Sequence, residues 1–232
     1  MPNMIFERYK RQTILPEIGI KGQKKILDAK VLIVGIGGLG SITAQYLTGA
    51  GIGTIGLIDD DLVLETNLNR QLLYTEKDIN KCKVQVASDR LKAINKNLNF
   101  IVYNDRINNF NVKKIVAEYD IIVDGLDNSC TRYLIDTECQ KQKKPYIYGG
   151  VNEYTGQISV FNYKNGPSYA DVFPDYENQD KIFNGLFGVL PGLIGILQAN
   201  EVIKIITGVG EVLSGKLLQY NLKTNTQEIF DI

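Results

Sequence analysis

VLIVGIGGLG, Val31 to Gly40, decides the fold. Four apolar residues stop at Gly35, Gly37, Gly38 and Gly40, as a buried parallel strand does where it enters a tight turn and then a helix. The helix is written in Leu39, Ile42, Thr43, Tyr46, Leu47 and Ala50, one stripe at helical spacing that Gly51 closes. Its first turn would aim free N–H groups at whatever the glycine turn holds. Ile55 to Ile58 makes the next strand and delivers Asp59 at about the twenty-residue distance of a dinucleotide-binding unit. The fold expected is α/β: a Rossmann-like mixed sheet, parallel in its N-terminal part, antiparallel in its C-terminal strands, with helices on both faces.

Moving outward, a short helix over Gly22 to Ala29 precedes this unit, after a basic segment that holds Arg8 and Arg11. That segment reads first as a solvated basic turn, with a polyphosphate grip as the alternative, since guanidinium binds phosphate oxygens in pairs. Downstream, the pattern predicts a helix over Lys81 to Ile94, a strand over Phe100 to Tyr103, a helix over Val112 to Tyr119 and a strand over Asp120 to Asp124. A helix from Ser129 leads to a core strand, Pro145 to Val151, whose hairpin partner is Gly156 to Tyr163. Lys164 to Leu186 reads as a long crossover loop. Val189 to Thr207 is apolar on nearly all sides, which predicts a buried helix packed closely through Gly192 and Gly195 and motivates a homodimer to cover it. Leu217 to Leu222 and Thr226 to Phe230 close the chain as a hairpin. One domain over 1–232 is expected, with an N-terminal helical arm over 1–30.

The function classes narrow next. Basic and acidic residues balance at 26 each, so no bulk field favours nucleic acid or an anionic membrane. The apolar stretches are broken by Gly or charge before membrane-spanning length, and with no signal-peptide core at the start a cytoplasmic protein is expected. Three cysteines in no paired spacing fit free thiols in a reducing compartment. The chain has no histidine, which excludes imidazole catalysis and histidine-ligated metal.

Beyond the second strand, DDDLVLETNLNRQ, Asp59 to Gln71, sets three carboxylates before Asn67, Arg70 and Gln71. Lys83 follows near a helix start, where a cation opposes the macrodipole unless an anion meets it. A second acidic strand end carries Asp124, Asp127 and Asn128. An NAD site needs an acid on the ribose and little else; two cations and a spare carboxylate suit a triphosphate with Mg²⁺. Asp59 is assigned to the ribose, Asp60 to solvent, and Asp61 either to the next turn or to the chemistry. Asp127 and Asn128 read as Mg²⁺ ligand and neighbour or as a plain helix cap. An NAD-dependent oxidoreductase is the alternative, one that leaves Arg70, Lys83 and Asp127 without duties.

With these segments in place, RYKRQ (Arg8 to Gln12), GIGGLG, LIDDD (Leu57 to Asp61), NLNRQ (Asn67 to Gln71), KCKV (Lys81 to Val84) and DGLDN (Asp124 to Asn128) together resemble the ThiF/MoeB/HesA family of ubiquitin-activating-type adenylyltransferases. GGVNEYTGQISVF, Gly149 to Phe161, and the helix start at Gly188 to Gln198 extend the likeness over nearly the whole chain. The resemblance implies ATP-dependent adenylation of the C-terminal Gly-Gly carboxylate of a small β-grasp sulfur-carrier protein, by a homodimer. It implies that Gly35, Gly37, Gly38, Asp59 and Asp61 hold the nucleotide, that Asn67, Arg70, Gln71 and Lys83 meet the phosphates, and that Asp127 binds Mg²⁺ beside Asn128. Arg11 would reach in from the partner subunit. The carrier could serve thiamine-thiazole or molybdopterin synthesis, with the short chain tilting toward the thiazole type; a peptide or modified-nucleoside substrate is the further alternative.

Two departures from the family pattern carry expectations. Ser168, Tyr169, Ala170 and Asp171 stand where many members place the first of two CxxC zinc pairs, so no zinc is expected. Asn184 stands where some members use a cysteine, so the chain should stop at the acyl-adenylate and leave sulfur transfer to a separate donor protein. Cys130, near the proposed site, is read as inert rather than nucleophilic.

Overall fold

A computed structural model describes residues 7–174 and 185–232. One eight-stranded sheet runs in the order β3-β2-β1-β4-β5-β6-β7-β8. Its strands are β1 Lys30–Val34, β2 Thr54–Ile58, β3 Asn99–Tyr103, β4 Ile121–Asp124, β5 Tyr146–Asn152, β6 Thr155–Phe161, β7 Lys216–Asn221 and β8 Thr226–Asp231. Strands β1 to β5 pair in parallel, and β5 to β8 pair antiparallel, as the change from buried runs to alternating hairpins predicts. Among the described residues the α-helices used below are α1 Lys10–Thr13, α2 Gly19–Asp28, α3 Gly38–Ala50, α4 Lys83–Ile94, α5 Val112–Ala117, α6 Ser129–Gln142, α7 Tyr169–Val172 and α8 Leu190–Thr207.

The two faces of the sheet carry separate cores because successive strand residues point to opposite sides. Val31 and Ile33 of β1 join Ile26, Ala44, Leu47, Val84, Leu91, Ala199 and Val202, which places α2, α3, α4 and α8 on one face. Leu32 and Val34 join Val112, Ile115, Ile135 and Cys139, which places α5 and α6 on the other. The chain therefore winds one way from β1 and the other way from β4, and a crevice opens between their carboxyl ends. Register sharpens it: Val34 lies level with Ile58 of β2 and Asp124 of β4, so Gly35, Asp59 and Gly125 emerge side by side.

Three expectations need correction. Among the described residues the N-terminal arm carries α1 ahead of α2, and α2 starts at Gly19 because the turn continues N-terminal to the apolar stripe that marks it in sequence. The loop over 164–186 contains α7, nucleated by a reciprocal cap in which Ser168 and Asp171 satisfy each other's N–H groups. Asn184 lies outside the described residues. Finally, α8 is an 18-residue helix of mean hydropathy 1.2, long and apolar enough by composition to cross a membrane. Its glycines do not break it, since Gly195 lies where a Cβ would sit 2.7 Å from the Leu39 carbonyl and so lets α8 press against α3. Half of that stretch is buried inside the chain, with Leu190, Ile194 and Val202 in the core. Gly192 has no atom within 4 Å of where its Cβ would be, so the close packing runs through Gly195 alone.

Candidate functional site

A cavity of about 790 Å³ occupies the crevice at the carboxyl edge of the sheet. Gly35, Gly37, Gly38, Asp59, Asp61, Asn67, Arg70, Gln71, Lys83, Asp127 and Asn128 all line it. Of the residues assigned from sequence, Arg11 is not brought there: it lies exposed on α1.

The glycine turn is held by its neighbours on both sides. The Asp59 carboxylate accepts the Ile36 N–H at 2.7 Å and the Asp61 N–H at 2.8 Å, while the Tyr74 hydroxyl donates to the Ile36 carbonyl at 2.8 Å. Burial pushes the Asp59 carboxyl up, against the pull of Lys83 and the two N–H groups. Gly35 has φ +85°, and a Cβ there would sit 2.6 Å from the Gly125 carbonyl oxygen, so the turns after β1 and β4 interlock backbone to backbone. Helix α3 then follows Gly37, its N-cap, with no side-chain cap, which leaves its first N–H groups for an anion. Asp59 thus holds the glycine turn together, a duty beyond the one expected of it from sequence.

The cations are arranged differently from each other. Lys83 is 5% exposed, and its ammonium lies 2.7 Å from the Asp61 carboxylate. The mismatch of a lysine at a helix start is therefore answered within the protein by Asp61, and alone it does not require a phosphate. Arg70 is half-buried and bonds the Thr66 carbonyl at 2.9 Å and the Asn69 side chain at 3.0 Å. Asn67 caps its own turn by accepting the Leu64 N–H at 3.0 Å. Gln71 is buried with its side-chain carbonyl oxygen unbonded among the described residues, and a buried orphan acceptor beside a cavity calls for a partner from outside the chain. Asp60 is exposed and pairs with Arg106 at 3.3 Å across the cavity mouth, a partnership that spacing does not reveal.

At the end of β4 the two readings of the DGLDN turn divide between its residues. Asn128 is the helix cap, accepting the Thr131 N–H at 3.0 Å. Asp127 is exposed at the cavity wall, and among the described residues no lysine or arginine pairs with it. A carboxylate so placed beside a nucleotide-sized cavity fits Mg²⁺, a hard ion that takes one or two carboxylates plus phosphate oxygens. Sequence reading missed Arg132, in the first turn of α6. Its guanidinium lies 2.8 Å from the fully buried Asp124 carboxylate and donates to the Leu126 carbonyl at 2.7 Å and the Gly149 carbonyl at 3.1 Å. Burial pushes the Asp124 carboxyl up, and Arg132 and the Leu126 N–H pull against it. The signal was available, since an arginine in a helix's first turn opposes the macrodipole as Lys83 does.

A family model described as the ThiF family matches residues 9–232. A probable molybdopterin-synthase adenylyltransferase of Gracilaria tenuistipitata var. liui is 44% identical over 220 residues, covering 94% of this chain and 62% of the relative. A sulfur carrier protein adenylyltransferase of Thermus thermophilus is 38% identical over 224 residues, covering 93% and 83%. Among solved structures, E. coli MccB with ATP matches with a TM-score of 0.82 at 26% identity, over 90% of this chain and 65% of that one. The chain thus spans about three-fifths of the algal relative's length.

Proposed function

From the premise that the chain belongs to the ThiF family, we propose that it is an ATP-dependent adenylyltransferase acting on the C-terminal carboxylate of a small β-grasp sulfur-carrier protein. The observation that carries this reading is the convergence of the glycine turn, Asp59, Arg70, Lys83 and Asp127 on one cavity. A carboxylate oxygen attacks the α-phosphorus of ATP, the new P–O bond forms as the bond to pyrophosphate breaks, and acyl-adenylate and pyrophosphate result. No general base is required, because a terminal carboxylate is already ionised at neutral pH. What remains for the protein is positioning and charge stabilisation. The α3 N–H groups and Arg70 meet phosphate oxygens. Lys83 shares its ammonium between Asp61 and the phosphates. Asp127 would hold Mg²⁺, which neutralises charge on the pyrophosphate when bound.

The names of the relatives favour a molybdopterin-type carrier over the thiazole type. Exposed Arg11 would complete the site of a second copy, making the enzyme a cytoplasmic homodimer, with a separate protein supplying sulfur and no zinc held by the chain. Stoichiometric zinc in purified protein, or a monomer in equilibrium sedimentation at assay concentration, would remove those clauses.

The test is exchange of labelled pyrophosphate into ATP with molybdopterin-type and thiazole-type carriers and a free peptide. Exchange with one carrier, and its loss in Asp127→Ala with an unchanged urea midpoint, is the expected result. Exchange that persists without any carrier, or full activity in Asp127→Ala, would sink the assignment.

A further inference from the structure

We propose that Gln198 is a positioning residue that holds the Asp124 to Asn128 turn from the α3 and α8 side of the sheet, and so sets the aim of Asp127 at a metal–nucleotide complex. The inference rests on the adenylation reading and adds a residue to it.

Gln198 is fully buried in the middle of α8, otherwise a strongly apolar helix. Its side-chain nitrogen donates to the Asp124 carbonyl at 2.6 Å and reaches the Ile147 carbonyl at 3.4 Å. Two carbonyls on that end leave the amide oxygen to accept from the Thr43 hydroxyl, 3.1 Å away on α3. The same hydroxyl also lies 3.1 Å from the Leu39 carbonyl and 3.0 Å from the Gly195 carbonyl, so its one proton is shared among three acceptors, and the nitrogen end is the better satisfied end of the amide. The contact stands where the sheet begins to open: β4 and β5 pair at Ile122 with Tyr146 and at Val123 with Ile147, and no further. The amide supplies donors to the carbonyls of the parting strands and closes the gap that a ladder bond would otherwise fill. Gly149 makes the space, since a Cβ there would lie 2.4 Å from the Gln198 nitrogen.

On the opposite face, Arg132 grips the Asp124 side chain and the Leu126 and Gly149 carbonyls. The turn is therefore fixed twice, by its carbonyl from one helix layer and by its carboxylate from the other. Asp127 projects from this turn into the cavity, so any slack in Asp124 is passed to the carboxylate that would meet the ion. A leucine or methionine at position 198 would pack α8 equally well, and the amide is what those residues lack.

The experiment titrates ATP calorimetrically, with and without Mg²⁺, into wild type, Gln198→Met, Thr43→Val and Thr43→Ser. Gln198→Met, which keeps length and volume, is expected to lose about tenfold in the affinity gained from Mg²⁺, the scale of removing an outer-shell partner. Its metal-free ATP affinity should stay within about twofold of wild type. Thr43→Val should move the same quantity by less, and Thr43→Ser should restore it. An unchanged Mg²⁺-dependent gain in Gln198→Met, or an equal loss with and without Mg²⁺, overturns the proposal. Should Gln198→Met fail to fold, Thr43→Val decides by the same criterion. A wild type that binds no Mg-ATP overturns the adenylation reading along with this one, whereas normal wild-type binding and an indifferent variant overturn this one alone.

Discussion

Removing the Arg132 guanidinium should cost the fold more than any surface substitution, and the cost should largely disappear when Asp124 is neutralised in the same molecule. In Arg132→Met the Asp124 carboxylate, fully buried, loses its charge partner and keeps the Leu126 N–H. An uncompensated buried charge of this kind costs about 3 to 5 kcal/mol. The Leu126 and Gly149 carbonyls also lose a donor, at about 1 kcal/mol each. Asp124→Asn leaves a half-satisfied arginine that still bonds both carbonyls, a smaller loss of about 2 to 3 kcal/mol. The double variant strands no charge, so it should lose only about 2 to 3 kcal/mol, well short of the sum of the single losses. Urea unfolding followed by far-ultraviolet circular dichroism is the suitable assay, since the chain has no tryptophan to report by fluorescence. Additivity of the two single variants to within about 0.5 kcal/mol would show that the pair is not coupled and would refute the reasoning.

Three further outcomes follow from the same geometry. Gly35→Ala forces a side chain into a left-handed backbone conformation and against the Gly125 carbonyl, so it should lower stability by at least about 1 to 2 kcal/mol and abolish ATP binding; wild-type affinity would show that the two turns do not interlock. Burial would raise the Asp78 carboxyl, but bonds from Thr75 and the charges of Lys81 and Arg90 bring it down to about 2. A depressed carboxylate stabilises the fold above its unfolded value and loses that contribution as pH falls, so the stability gap between wild type and Asp78→Asn should shrink from pH 4 towards pH 2; a constant gap across that window would contradict it. Iodoacetamide should label exposed Cys130 well before Cys139, whose thiol burial pushes up, and Cys130→Ser should keep exchange within about twofold; lost exchange with protection by ATP would revive the nucleophile reading.

Sequence patterns carried the fold and the strand-end residues that line the cavity, because both depend on periodicity and on spacing along the chain. Apolar runs ending in glycine mark parallel strands, and parallel strands in register bring their carboxyl ends to one edge wherever the intervening helices lie. That is why Gly35, Asp59 and Asp127, far apart in sequence, meet at one cavity as their strand-end positions predict. The residues that escaped belong to contacts set by packing across layers. Gln198 lies 74 positions from the Asp124 carbonyl it bonds, and Arg106 lies 46 from Asp60. Neither distance has a periodic signature.

Lys83 shows a different limit: its local anomaly is legible in sequence, but the partner that answers it within the protein is not. The helix start did require an anion, and Asp61 supplies it at 2.7 Å. The contact fixes the Lys83 side chain at the cavity wall through the protein's own packing. The Gln71 acceptor differs, since nothing among the described residues bonds it. Of the features that point toward a ligand, the orphaned buried amide oxygen is therefore stronger evidence than the conspicuous lysine, because protein groups can neutralise a charge from many directions but an unbonded buried acceptor still lacks a donor.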